Sequence, residues 1–184
     1  MPSKKSSSAD NQQERSKVIG WIIGFVDGEG CFSVSIIRNS TSKLKWQAFP
    51  EFVVTQGAKS ISSLRELQNF FKCGTIVENK RKDNHRESLY KYCVRSISDL
   101  RENIIPFFQT HELHTAKRED FKKFVKILSL IEKKKHLEMK GLYQIATIIE
   151  KMNRQVPSKL RKSSETVRQT MLVKTNNEDT VRAL

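Results

Sequence analysis

"GWIIGFVDGEGCFSVSI", residues 20–36, joins two incompatible patterns without a linker. A nearly unbroken apolar run extends from Val18 to Val26 and stops on Asp27, Gly28, Glu29 and Gly30. Strict alternation then begins at once, through Cys31, Phe32, Ser33, Val34, Ser35 and Ile36. The first part predicts a helix over about Lys17–Asp27, with Ser16 as its N-cap, apolar on nearly all sides and so buried on several. Gly20, Gly24 and Gly28 recur at a helical spacing and share one face, where a second backbone can approach closely. That second backbone is either a partner helix or a sheet of the same chain. The second part predicts a strand over Cys31–Arg38. It turns Phe32, Val34 and Ile36 to one side and Ser33, Ser35, Ile37 and Asn39 to the other.

Working outward, the loop "RNSTSKLK" leads to a second strand, Trp46–Gln56, in which Pro50 suggests an edge or a bulge. "SISSLRELQNFFKCG" carries an apolar stripe of Ile61, Leu64, Leu67 and Phe71, with Gly74 suited to its C-terminal end. "TIVENKRK" and "SLYKYCVRS" read as a hairpin around the basic turn "DNHRE". Helices follow over about 98–105, 116–133 and 137–152, punctuated by Pro106 and Pro157. The order αββαββ and then helices predicts an α+β fold, an antiparallel sheet with helices on one face. The other face is left to solvent or a ligand.

The 184 residues are 37% hydrophobic, enough for one domain with a core. A net charge of +14 points to a polyanionic partner, and nucleic acid fits it best. Cys31, Cys73 and Cys93 form no CxxC pair, and His85, His111, His114 and His136 show no zinc-ligand spacing. Any metal is therefore expected to be a hard ion held by carboxylates. No apolar run has the length of a membrane span, and residues 1–16 read as a disordered polar arm without a signal core.

"GFVDGEG" followed at once by an alternating strand resembles the LAGLIDADG homing endonucleases. "FVVTQ" (52–56) and "RKSSETVR" (161–168) look like segments of the single-motif, homodimeric, rRNA-intron type. The resemblance spans most of residues 17–172, the expected endonuclease domain, with 173–184 a flexible tail. It implies the αββαββα fold of that family, with a saddle-shaped antiparallel sheet facing DNA. It also implies a homodimer that makes Mg²⁺-dependent double-strand breaks in a long, pseudo-palindromic target and leaves 5′-phosphates and 3′-overhangs. The alternative on the same scaffold is an intron RNA maturase or a non-cleaving DNA-binding protein, which makes intron RNA a further partner. The setting implied is a group I intron, in an organelle (chloroplast or mitochondrion) or a bacterial cytoplasm.

Carried onto this chain, the resemblance implies that Gly20, Gly24 and Asp27 lie at the dimer interface. Glu29 is the catalytic and metal-binding acid, and the Gly28 carbonyl points at the metal. Gln56 is the active-site glutamine. Lys117 supplies the basic group, with Arg118 and His114 as neighbours able to fill that role. A cation is at home where helix-end carbonyls carry partial negative charge and a carboxylate adds a full one. DNA contacts are expected from Ser33, Ser35, Ile37 and Asn39, and from Gln47, Phe49, Glu51 and Val53. The second hairpin offers Asn79, Arg81, Ser88, Tyr90 and Tyr92, and Arg161 and Lys162 approach phosphates. Two departures from the family pattern stand out: Ile22-Ile23 replaces the usual Leu-Ala pair, and Glu29 replaces the commoner Asp.

Overall fold

The computed structural model describes residues 8–79 and 87–152. Arg81, Arg161 and Lys162 lie outside the described residues. Helix α1 spans Ser8–Glu29 and passes directly into β1, Gly30–Arg38. Strand β2 is Trp46–Gly57, and a single 3₁₀ turn leads to α2, Ile61–Phe71. A hairpin follows, β3 (Thr75–Asn79) and β4 (Leu89–Val94). The helices are α3 (Ile97–Asp99), α4 (Ile105–Thr110), α5 (Lys117–Glu132) and α6 (Met139–Ile149). The strands form a four-stranded sheet in the order β1-β2-β4-β3. The α+β order expected from the sequence is therefore the order observed.

The chain divides into two compact units, one within Met1–Cys31 and Val53–Arg118, the other within Phe32–Phe52 and Glu119–Leu184. Strand β2 begins in the second and ends in the first. In the second unit Phe32 stacks on Phe52 at 4.9 Å and meets Phe121 and Phe124 of α5 at 5.1 and 5.5 Å. The inward residues of β1 and β2 are thus covered by a helix. Their alternates Ser33, Ser35, Ile37, Gln47, Phe49 and Glu51 are partly or fully exposed.

In the first unit Ile22 and Val26 of α1, Leu64 and Leu67 of α2, and Tyr92 and Val94 of β4 are all fully buried. Helix α2 ends at Lys72 in the left-handed conformation, its N–H bonded to the Gln68 carbonyl. Gly74 follows at φ +78°, where a Cβ would stand 2.6 Å from the Tyr92 ring.

Three local expectations change. Helix α1 starts at Ser8, so residues 8–16 are helical rather than part of a polar arm, and Ser16 is no cap. Its hydroxyl donates to the Gln12 carbonyl one turn back, inside the helix. Pro50 does not mark an edge. It sits within β2, between β1 and β4 in the sheet order, on the buried alternation with Ala48 and Phe52. Pro106 does not end a helix either. A π-helical stretch, Leu100–Ile104, bridges α3 and α4, and the Ile105 N–H reaches back to the Leu100 carbonyl. Pro106 then falls in the first turn of α4, directly after this wider stretch, where the break from regular i→i−4 bonding accommodates a residue without an N–H.

Candidate nuclease centre at the end of helix α1

The last turn of α1 leaves carbonyls without helical partners. The Lys117 ammonium fills that gap, donating to the Val26 carbonyl at 2.9 Å and to the Gly28 carbonyl at 3.3 Å. Lys117 is the first residue of α5, so one helix start is placed against another helix's end.

Asp27 makes the second tie. Its Oδ2 accepts the His114 N–H at 2.7 Å, and its Oδ1 accepts the Thr115 hydroxyl at 2.7 Å and the Thr115 N–H at 3.2 Å. The same Thr115 hydroxyl accepts the Lys117 N–H at 3.3 Å. Burial pushes the Asp27 carboxyl up. The two N–H groups, the Thr115 hydroxyl and the nearby His114 together outweigh it and hold the group below its ordinary 3.8. Asp27, read from the sequence as an interface residue, thus spends its carboxylate inside its own chain.

Glu29 is exposed, and its carboxylate makes no hydrogen bond or ion pair with any described residue. Gly30 explains how the chain turns there. A Cβ on it would lie 2.6 Å from Val26 Cγ1 and 2.8 Å from the Val26 carbonyl oxygen, so only glycine fits. Gly20, Gly24 and Gly28 are different. An added Cβ would meet nothing within 4 Å among the described residues, so none of these packs on that face of α1. Val18 is 40% exposed at the start of the apolar run.

Of the three basic candidates, Lys117 is the side chain that reaches the α1 carbonyls. His114 contributes its backbone N–H to Asp27, and Arg118 pairs with Glu112 at 3.5 Å on the surface. Gln56 stands near the end of β2, half-buried, and makes no hydrogen bond to these residues. Gly30 and Thr115 were missed as site residues. Their only signals were the second glycine of "GEG" and a threonine just ahead of a helix start.

The hairpin residues need correction. Asn79 pairs with Leu89, Glu78 with Tyr90, and Ile76 with Tyr92. Directly paired residues share a face, so Asn79 lies opposite to Ser88, Tyr90 and Tyr92. Tyr92 is 0% exposed, its hydroxyl donating to the Cys73 carbonyl at 3.0 Å, and it cannot contact DNA. Burial and the adjoining thiol and carboxyl groups push its phenol far above the ordinary range. Tyr90 lines a hollow with Ile61, Arg65 and Gln68 of α2, on that same covered side. Ser88 is exposed but donates to Glu78 at 3.1 Å. The residues sharing the face of Asn79 are Thr75, Val77, Leu89, Lys91 and Cys93, the last of them buried. On the first hairpin Asn39 and Gln47 are joined by a 2.8 Å amide hydrogen bond, and Arg38 lies 5.2 Å over the Trp46 ring.

Comparison with known proteins agrees with this geometry. The crystal structure of the homing endonuclease I-TnaI is similar at 38% identity and a TM-score of 0.72, covering 81% of this chain and 97% of that one. A structure of I-SmaMI bound to an uncleaved DNA target in the presence of calcium ions is similar at 33% identity and a TM-score of 0.67, over 77% of this chain and 47% of that one. Probable intron-encoded endonuclease 3 of Neurospora crassa is 33% identical over 151 residues, 82% of this chain. The chain spans only 27% of that relative's length. The family model described as LAGLIDADG endonuclease matches residues 22–128, and the chain belongs to that family.

Proposed function

We propose that this chain is a site-specific homing endonuclease that works as a homodimer and makes double-strand breaks in a long, pseudo-palindromic DNA target. One observation carries the reading: among the described residues, the exposed Glu29 carboxylate has no partner and stands at the end of a helix whose glycine face none of them covers. Two such helices packed face to face would bring two Glu29 carboxylates together at one axis. Two acids placed side by side repel unless cations share the site.

The donor set suits Mg²⁺. Glu29 offers hard oxygen ligands, and Mg²⁺ is typically held by one or two carboxylates with waters and substrate phosphates. Among the described residues no group of three or more His, Cys, Asp or Glu could hold an ion within one chain. A site completed by a second chain and by phosphate oxygens fits that sparse set. The chemistry such an ion supplies is Lewis-acid stabilisation of the phosphate charge. Glu29 would orient the ion and, through it, the scissile phosphate. Lys117, held by the α1 carbonyls, would place a fixed positive charge beside the same phosphates. Gln56 would position solvent for attack.

The net charge of +14 supports binding to the phosphate backbone, with the salt dependence that goes with it. Ser33, Ser35, Ile37, Asn39, Gln47, Phe49, Glu51 and Val53 would read base edges from the first hairpin, and Asn79 with Lys91 from the second. The name of the Neurospora relative supports a gene carried in an intron. Among the described residues no helix is long and apolar enough to cross a membrane. The presence of Glu29 weighs against a maturase or binding protein that has lost cleavage.

The test is a library of DNA targets incubated with Mg²⁺ or with EDTA. Wild type should cut a defined site with Mg²⁺ only. Glu29→Gln should bind that site and leave it whole. Equal cutting by the two proteins removes the role given to Glu29.

A further inference from the structure

An acid sits where a DNA-reading hairpin has least use for one. Glu87 follows the basic stretch "KRKDNHR" and stands two residues before the return strand β4. A carboxylate there would repel phosphates if it faced them. Its position shows another use. Glu87 Oε1 accepts the Lys59 N–H at 2.8 Å, in the 3₁₀ turn that opens α2. The free N–H groups at such a helical start favour an acid.

The neighbouring contacts make this a clamp. The Ala58 N–H donates to the Ser88 carbonyl at 2.9 Å, and the Ser88 hydroxyl donates to Glu78 at 3.1 Å. Both strands of the second hairpin are thereby tied, at the end where the connecting turn joins them, to the turn after β2. Gly57 is shaped to the clamp: a Cβ there would lie 3.0 Å from the carboxylate carbon and from both oxygens of Glu87. Gly57 directly follows Gln56.

We infer that Glu87 is a positioning residue, which fixes the second hairpin against the end of β2 so that Asn79 and Lys91 reach the bases in register with Gln56. The inference rests on the nuclease reading above. Without the clamp, the hairpin end must be ordered at the moment of binding, and that entropy is taken from affinity and discrimination. The loss should be local to the base pairs that this hairpin reads.

The experiment profiles cleavage on a target set substituted one base pair at a time. Asn79→Ala and Lys91→Ala mark the positions read by the second hairpin, and Gln47→Ala marks those read by the first. Glu87→Ala should weaken discrimination at the second set by about ten-fold, the scale of one lost charge-assisted hydrogen bond. The first set should keep its profile. Glu87→Gln, whose amide oxygen can still accept the Lys59 N–H, should restore most of the loss. Gly57→Ala, which asks the carboxylate to give by a few tenths of an ångström, should show a smaller loss at the same positions. An unchanged profile in Glu87→Ala, or an equal loss at every position, overturns the inference. If wild type binds the target without cutting, the nuclease reading fails, and the same profiles taken from binding still decide the role of Glu87.

Discussion

Asp27 and Thr115 stand 88 positions apart, and a 2.7 Å hydrogen bond runs from the Thr115 hydroxyl to Asp27 Oδ1. With the two backbone N–H bonds it fastens the end of α1 to the start of α5. Hydrogen bonds to a charged acceptor contribute roughly 1.5–3 kcal/mol when sheltered. Thr115 and His114 are exposed, which lowers that figure. Asp27→Ala should cost about 1–2 kcal/mol in urea denaturation, and Thr115→Val less, because both N–H donors remain.

The same carboxylate sets an acid limit. Its folded pKa is held below 3.8, so the unfolded chain binds the proton more readily. Stability from Asp27 is therefore complete above 3.8 and disappears as pH falls through the lower, folded value. Melting curves of wild type and Asp27→Asn should differ by a constant amount at neutral pH and converge in the acid range. A gap that widens with acid contradicts the assignment.

Lys117 binds two carbonyls of its own chain and, in the proposed function, faces phosphate. Lys117→Met should lower kcat by about 100-fold or more, the order seen when a preorganised electrostatic group is removed. Target affinity should change little, and Lys117→Arg should recover only part of the rate, because a planar fork cannot copy a point charge on two carbonyls. Single-turnover cleavage beside a binding titration separates the two effects.

No described residue stands within 4 Å of where a Gly24 side chain would go. Gly24→Val should leave the folded protomer as stable as wild type within about 1 kcal/mol, since glycine is itself a poor helix residue. It should nonetheless abolish the dimer and with it cleavage. Sedimentation of the variant as a dimer would remove the face-to-face arrangement of α1.

Tyr92 provides a control. Tyr92→Phe leaves the Cys73 carbonyl without its donor, at a cost of about 1 kcal/mol, and should not alter target affinity or preference. A change in base preference would return Tyr92 to the DNA-facing set.

The sequence carried the core of this picture because its signals are local. Alternation at Phe32, Val34 and Ile36 places β1, and the apolar run ending on two acids places the end of α1. What failed depended on partners remote in the chain. The register of the second hairpin rests on which residues face each other across a long basic turn, and the amphipathic Tyr92 gives no hint of its side. Lys117, Arg118 and His114 are equivalent as letters; reach to a carbonyl 91 positions away separates them. The early start of α1 is invisible because "SADNQQERSK" has no apolar period to mark it.

The tight corner at Gly30 imposes a counting rule. Gly30, Phe32, Val34 and Ile36 share the buried side of β1, so every outward residue sits an even number of positions after Glu29 from Cys31 onward. Inserting one residue between Glu29 and Phe32 would exchange the two sides of the strand, sending serines into the core and phenylalanine to the open face. Inserting two would preserve the sides and, in the proposed function, move every base contact one step farther from Glu29. The distance from Glu29 to a given outward residue can therefore change at this corner only in paired steps.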